Sequence, residues 1–255
     1  MRFLAMNLGA GNRPADDKPV RASARVVWEH KRLLLLPSGA WVLQAALVAV
    51  GSAFWSEAGA GAVDVALAVV GVVLVTLVGT YANAALILAA DQALQGRPVR
   101  IGHSCVAAAG RLPVIALWAL VGVVAVSLGA LLDRVPLVGP LLERLFGIGW
   151  VVVTYLTLPA MMIDGLGVRD AMRRARQLCG SDGRRIVRGS IWISLPGLVA
   201  IAPVLTILIL GLSSDDHLTA VLAVVCAGLL ATVAATVSTG LSGVFRTRLY
   251  REVEG

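Results

Sequence analysis

The stretch Val65 to Ala90, VALAVVGVVLVTLVGTYANAALILAA, runs for 26 residues without a charged side chain, and its reading decides the fold. A bilayer core about 30 Å thick needs roughly 20 consecutive apolar helical residues to cross it. In lipid every backbone amide and carbonyl must be bonded inside the segment or inside a closed barrel. Barrel strands alternate apolar and polar residues over about ten positions. This run does not alternate, so it is expected to form a transmembrane helix.

Outward from it the same pattern repeats. Leu33 to Ser56 is uncharged but contains Pro37, which sits well at or just before a helix start, so the first span is expected to begin near Ser38. Leu112 to Leu132, Leu145 to Ile163, Ile191 to Ser214 and Leu218 to Phe245 supply four further runs. Of the whole chain 58% is hydrophobic and only 15% charged, where soluble domains carry about 25% charged residues. The expected fold class is all-α: a polytopic membrane protein with six transmembrane helices arranged as three helical hairpins.

Charge placement gives an orientation. With both termini on one side, that side receives every one of the 22 Lys and Arg except Arg134 and Arg144, which lie beside Asp133 and Glu143. The other two loops of the opposite side carry Glu57, Asp64, Asp215 and Asp216. Positive residues stay cytoplasmic during insertion, so the amino and carboxyl termini are expected in the cytoplasm. The basic pI of about 10.1 is then a signature of topology, and no nucleic-acid partner is expected.

Residues 1 to 17 hold only a short apolar stretch interrupted by Gly and Asn, weaker than a secretory core, and are read as a flexible cytoplasmic tail. Cys105, Cys179 and Cys226 show no pairing pattern and are expected as free thiols.

Internal echoes organise the remainder. Lys18-Pro19-Val20-Arg21 opens a stretch before the first span, Arg97-Pro98-Val99-Arg100 another before the third, and Leu166-Gly167-Val168-Arg169 a weaker copy before the fifth. Thr80-Tyr81 precedes Asp91 in the second span, as Thr154-Tyr155 precedes Asp164 in the fourth. The expected organisation is a single transmembrane domain, 18–245, of three hairpin units (18–90, 97–163 and 167–242), followed by a cytoplasmic tail, 246–255.

The stretches between hairpins read as cytoplasmic interfacial amphipathic helices. Val168, Ala171, Met172, Ala175, Leu178 and Cys179 recur at helical spacing, with Arg169, Arg173, Arg174 and Arg176 on the other face. Each basic residue near an anionic surface contributes about 1 kcal/mol, and topology alone needs fewer arginines. These four are the candidate lipid-headgroup residues. Val26, Val27 and Trp28 near Arg21, Arg25, Lys31 and Arg32 repeat the pattern.

Within the spans the polar inventory is thin. No Asp, Glu, Lys, Arg or His occupies the middle of a run, whereas ion-coupled transporters and proton relays place such groups there. Tyr81, Asn83, Thr154 and Tyr155 form the candidate polar site in the spans, and hydrogen bonding between helices is the competing account of them. In the sixth span Gly228, Thr232, Thr236 and Gly240 recur every four residues beside a second row of Ala231, Ala235, Thr239 and Gly243, a spacing that lets helix backbones approach. Pro159, Pro196 and Pro203 would bend their helices.

No catalytic constellation is found. His30, His103 and His217 are scattered, and His103 with Cys105 is too small a set for a metal. There is no nucleotide-binding glycine loop and no nucleophile elbow. No enzyme activity, metal or cofactor is expected.

Four segments carry a resemblance: SARVVWEHKRLLLLP from Ser23, TYANAALILAADQALQGRPVR from Thr80, LPAMMIDGLGVRDAMRRAR from Leu158, and VFRTRLYREVEG from Val244. With these the chain resembles a family of bacterial six-span membrane proteins of unknown role. More loosely, it is similar to the membrane domain that accompanies some glycerophosphoryl diester phosphodiesterases. The resemblance implies an integral protein of the bacterial plasma membrane and carries over no catalytic residue, since no phosphodiesterase domain is present.

Two functions remain in view. One is a non-enzymatic membrane scaffold, lipid-interacting or accessory component, whose partners would be membrane lipids, anionic ones among them, a second copy of the chain or another membrane protein. The alternative is a permease for a lipid-like or uncharged small solute. A cavity lined by Tyr81, Asn83, Thr154 and Tyr155 would favour the permease, and a solid core the scaffold.

Overall fold

The computed structural model describes residues 18–53, 61–132, 153–178, 201–207, 209–210, 213 and 217–254. Among these residues every regular element is a helix and there is no strand. The elements are α1 (Lys18–Glu29), a 3-10 turn (Lys31–Leu34), α2 (Leu35–Ala53), α3 (Ala62–Leu94), α4 (Ile101–Ala109), α5 (Leu112–Leu132), α6 (Val153–Ile163), α7 (residues 168–178) and α8 (His217–Glu254). Residues 201–207 are also helical.

Four helical stretches are long and apolar enough to cross a membrane: Lys31–Ser52, Ala62–Leu94, Leu112–Gly129 and Leu222–Glu252. They correspond to the first, second, third and sixth expected spans. The third starts on the expected residue, Leu112, and is helical through Leu132, the last residue described there. The first starts at Leu35, ahead of Pro37, because proline in a first helical turn gives up an amide that has no intrahelical partner anyway. Of the fourth expected span the described part is Val153–Ile163, and most of the fifth, with Pro196, lies outside the described residues. So do the expected tail 1–17, Arg134, Arg144, Cys179, and Arg184, Arg185 and Arg188.

Two helices outrun a bilayer. The 33 residues of α3 rise about 50 Å and the 38 of α8 about 57 Å at 1.5 Å per residue. The stretch set apart as a carboxyl tail therefore continues α8 as helix to Glu254, and Thr247, Leu249 and Tyr250 within it are buried.

The helices pack at one end, where α3 stops, α8 stops, and α1, α4 and α7 lie; we call it the basic end. There α3 touches α2, α4, α5 and α8, and α1 rests on α8. The main core joins Ala84, Ala85 and Ile87 of α3, Ile115 of α5, Leu156 and Met161 of α6, and Phe245, Leu249 and Tyr250 of α8. A second cluster seats Val27 and Leu33 on Leu86, Ala89, Ala90 and Val244. Toward the other end large apolar side chains of the same helices are exposed, Val63, Leu67 and Val70 of α3, Val124 and Val126 of α5, and Leu222, Leu229 and Val233 of α8, although Asp64 and Ala227 are buried.

Caps fix where the helices end. After α3, Gly96 adopts φ 68°, its N–H donates to the Ala93 carbonyl (3.1 Å), and the Arg97 N–H donates to the Gln92 carbonyl (2.9 Å). This pair of bonds around a left-handed residue is the Schellman arrangement, which glycine enters without a Cβ penalty. Gly165 at φ 73° turns the chain after α6, and a Cβ there would lie 3.0 Å from the Arg111 guanidinium.

The expectation for the amphipathic helices needs correction. Ala171, Ala175 and Leu178 of α7 belong to the main core, and Ser23 and Val27 of α1 are buried against the bundle. Their apolar stripes are turned inward onto protein instead of outward into a headgroup layer. Trp28 of α1 is the outward exception at 68% exposed.

Candidate functional site

The four arginines of α7 remain on its outer side. Arg169, Arg173 and Arg176 are exposed and Arg174 half-buried. Arg173 is paired through Nη2 with Asp170 Oδ1 at 2.9 Å, one turn away. With the apolar face of α7 anchored in the core, these cations form a fixed basic strip.

The four polar span residues do not meet in one place. Tyr81 Oη donates to the Cys105 carbonyl at 2.9 Å and so ties α3 to α4. Asn83 Nδ2 donates to the Gly79 carbonyl of its own helix at 3.0 Å, and Thr80 Oγ1 likewise to Thr76 at 2.8 Å. Asn83 borders a cavity of about 220 Å³ between α2, α3 and α8. There Gln44 Nε2 donates to the Val75 carbonyl at 2.8 Å, over a Gly79 whose Cβ would lie 2.6 Å from that nitrogen.

Thr154 and Tyr155 line a different cavity of about 370 Å³ between α3, α5, α6 and α8. Thr76 and Thr80 form one wall, Trp118, Gly122 and Val126 of α5 another. Arg246 of α8 closes it, with its guanidinium 4.1 Å from the centre of the Tyr155 ring, a cation–π contact. The Tyr155 hydroxyl lies 3.4 Å from Ser242 Oγ. Arg246 Nε is buried and has no hydrogen-bond partner. Sequence reading placed Arg246 in the tail and overlooked this role. Nothing in the sequence signalled it, because an arginine after an apolar run reads as the stop of a span, whereas α8 continues through it.

At the basic end the two echoed aspartates are held by consecutive residues of α8. Arg251 donates to Asp91 through Nε (2.9 Å) and Nη2 (3.1 Å), and the hydroxyl of Tyr250 bonds Asp164. Gln95 Nε2 donates to Asp91 at 2.7 Å. Arg97 joins Asp91, Gln95 and Arg251 around a depression of about 610 Å³. Arg111 donates through Nη1 to the Met161 and Met162 carbonyls at 2.5 and 3.0 Å, where the last turn of α6 leaves acceptors unpaired. Cys105, half-buried on α4, has its thiol pushed up by burial. Among the described residues no three His, Cys, Asp or Glu side chains converge as a metal site would require.

A family described as a family of unknown function (DUF6159) matches residues 60–255, well over half of the chain, and the chain belongs to it. No curated protein and no solved structure matches. These comparisons lend no support to the looser likeness to the glycerophosphodiester phosphodiesterase membrane domain or to a bacterial origin.

Proposed function

We propose that this member of the family is an integral membrane protein of six spans in three hairpins, with both termini cytoplasmic, serving as a non-enzymatic, lipid-interacting or accessory component of a plasma membrane. The observation that carries the reading is the contrast between the two ends of the helices. Among the described residues, large apolar side chains are buried around the basic end and exposed toward the other. Water penalises exposed leucine and valine, whereas lipid solvates them as well as protein does. Helices whose described large apolar side chains are exposed over that part of their length suit a position in hydrocarbon.

The basic end supports the lipid part of the proposal. Arg169, Arg173, Arg174 and Arg176 stand on a helix anchored by its other face, so no ordering of the helix is required when they meet anionic headgroups. Trp28 on α1 suits the same boundary, where its ring is half apolar and half wet.

The alternative, a permease for a lipid-like or uncharged small solute, is favoured by the cavity at Thr154 and Tyr155. Against it stands the separation of Tyr81 and Asn83 from that cavity. The test is mass spectrometry of the protein extracted in native lipid discs. A protein partner in fixed ratio, or an anionic lipid enriched over bulk, is the expected result. Bulk lipid alone with no partner would sink the accessory reading, and solute uptake into reconstituted vesicles would then establish the permease.

A further inference from the structure

We infer that the cavity between α3, α5, α6 and α8 is a binding site for a membrane amphiphile with a phosphate or carboxylate head, the anion seated on Arg246 and the apolar part along α5. The inference deepens the lipid-interacting reading above and rests on it.

The first observation is the orphaned donor. Arg246 Nε is buried without a partner, and its guanidinium is held against the Tyr155 ring. A buried donor left unsatisfied is destabilising, and more so when it belongs to a charged group. Arg246 also lines the cavity, so an anion seated there would meet its guanidinium and gain a charge-assisted bond. The stack fixes the plane of the guanidinium, so little side-chain freedom is lost on binding.

The second observation is the character of the walls. Beside Arg246 stand hydroxyl groups of Thr80, Thr154 and Tyr155, while across from it Val121, Gly122 and Val126 offer no polar side chain. A Cβ built on Gly122 would have nothing within 4 Å, so this wall is open space. Val126 beside it is 75% exposed and marks the side on which the cavity communicates with the surroundings of the helices. A water-soluble anion would use the arginine and leave the apolar wall empty. An amphiphile fills both.

The third is depth. Arg246 lies five residues, about 7.5 Å of helix, before Arg251 at the basic end, and Val126 lies 14 residues, about 21 Å, from the start of α5 at that same end. A head at the first level and a chain reaching the second follow the direction of a lipid in the leaflet on the basic side.

The test uses the full-length protein in phosphatidylcholine discs doped with phosphatidylglycerol, with retained lipid counted by native mass spectrometry. Wild type is expected to retain phosphatidylglycerol saturably. Arg246→Gln should weaken retention about tenfold, the loss of one charge-assisted bond. Gly122→Leu, which fills the apolar wall and leaves every charge in place, should weaken it as much. Gly228→Ala, on an exposed face of α8 that belongs to neither the cavity nor the α7 strip, should leave this retention unchanged, and inorganic phosphate should not compete. Circular dichroism checks that each variant is folded, and Gly122→Leu keeps the test decisive if Arg246→Gln is not. Retention that survives both cavity variants overturns the inference, as does displacement by inorganic phosphate. Retention lost in Arg173→Gln, on the outer face of α7, but kept in Arg246→Gln would overturn it while leaving the general lipid reading intact.

Discussion

Arg251 grips Asp91 with two nitrogens, at 2.9 and 3.1 Å, across 160 residues of sequence. The pair closes the last turns of α8 onto the end of α3. The next residue back, Tyr250, does the same for Asp164 at the end of α6. The carboxyl-terminal turns of α8 are thus a clasp across the ends of two other helices.

The ion pair is partly exposed, so its contribution is that of a well-formed surface bridge, about 1 kcal/mol. Arg251→Gln and Asp91→Asn are each expected to lower stability by about that amount, and the double variant by less than their sum. Thermal unfolding of the three variants in detergent at low salt measures the coupling. Strict additivity would show that the bridge contributes nothing.

Tyr250 is buried while its hydroxyl reaches an exposed carboxylate. Tyr250→Phe keeps the ring packed and should cost about 0.5–1.5 kcal/mol. Tyr250→Ala also empties the core and should cost about 3–5 kcal/mol. Equal losses in chemical denaturation would mean that the hydrogen bond, not the ring, carries the contact.

The small-residue rows of α8 divide by position. A Cβ on Gly243 would lie 2.5 Å from Leu86 Cδ2 and one on Gly240 2.7 Å from Leu34 Cδ2, whereas one on Gly228 meets nothing within 4 Å. Gly243→Ala should destabilise by about 1–3 kcal/mol through overpacking. Gly228→Ala should be neutral or slightly stabilising, since alanine is the better helix former. A large loss in Gly228→Ala, read from the melting temperature, would reveal a partner on the bare half of α8.

Arg111→Met removes the donor for two carbonyls at the end of α6 and should cost about 1–3 kcal/mol. Hydrogen exchange should rise locally around residues 158–166. Unchanged exchange there would show that water replaces the guanidinium without penalty.

Burial holds the Cys105 thiol above its usual range, so less thiolate is present at a given pH in the folded protein than in the unfolded chain. Its alkylation by iodoacetamide should therefore accelerate at a higher pH in the native state than after denaturation. Coincident pH profiles would remove the effect of burial.

The spans show where sequence reading reaches. The start of α5 at Leu112 could be read in advance because an apolar run directly after Arg111 leaves helix as the solution for lipid-buried backbone. The end of α8 could not, because Arg246, Arg248 and Arg251 read as the stop of a membrane segment while helix propagation continues through them. The echo of Thr-Tyr followed by Asp was visible, but not that the two aspartates find neighbouring partners on one helix. The polar set Tyr81, Asn83, Thr154 and Tyr155 was chosen by chemistry alone, and of the four Thr154 and Tyr155 share a cavity while Asn83 borders another.

What the sequence determined by itself was the class of structure: long helices, a basic end and almost no charge between. Those follow from local composition, since hydropathy and backbone hydrogen bonding act within one segment at a time. Only the tertiary structure decided which faces turn inward. The apolar stripes of α1 and α7 could equally have met lipid or protein, and helical periodicity is the same for both. It also took the packing of four helices to leave Arg246 beside Tyr155 with a buried nitrogen unpaired, because a cavity belongs to the gaps between segments and is written in none of them.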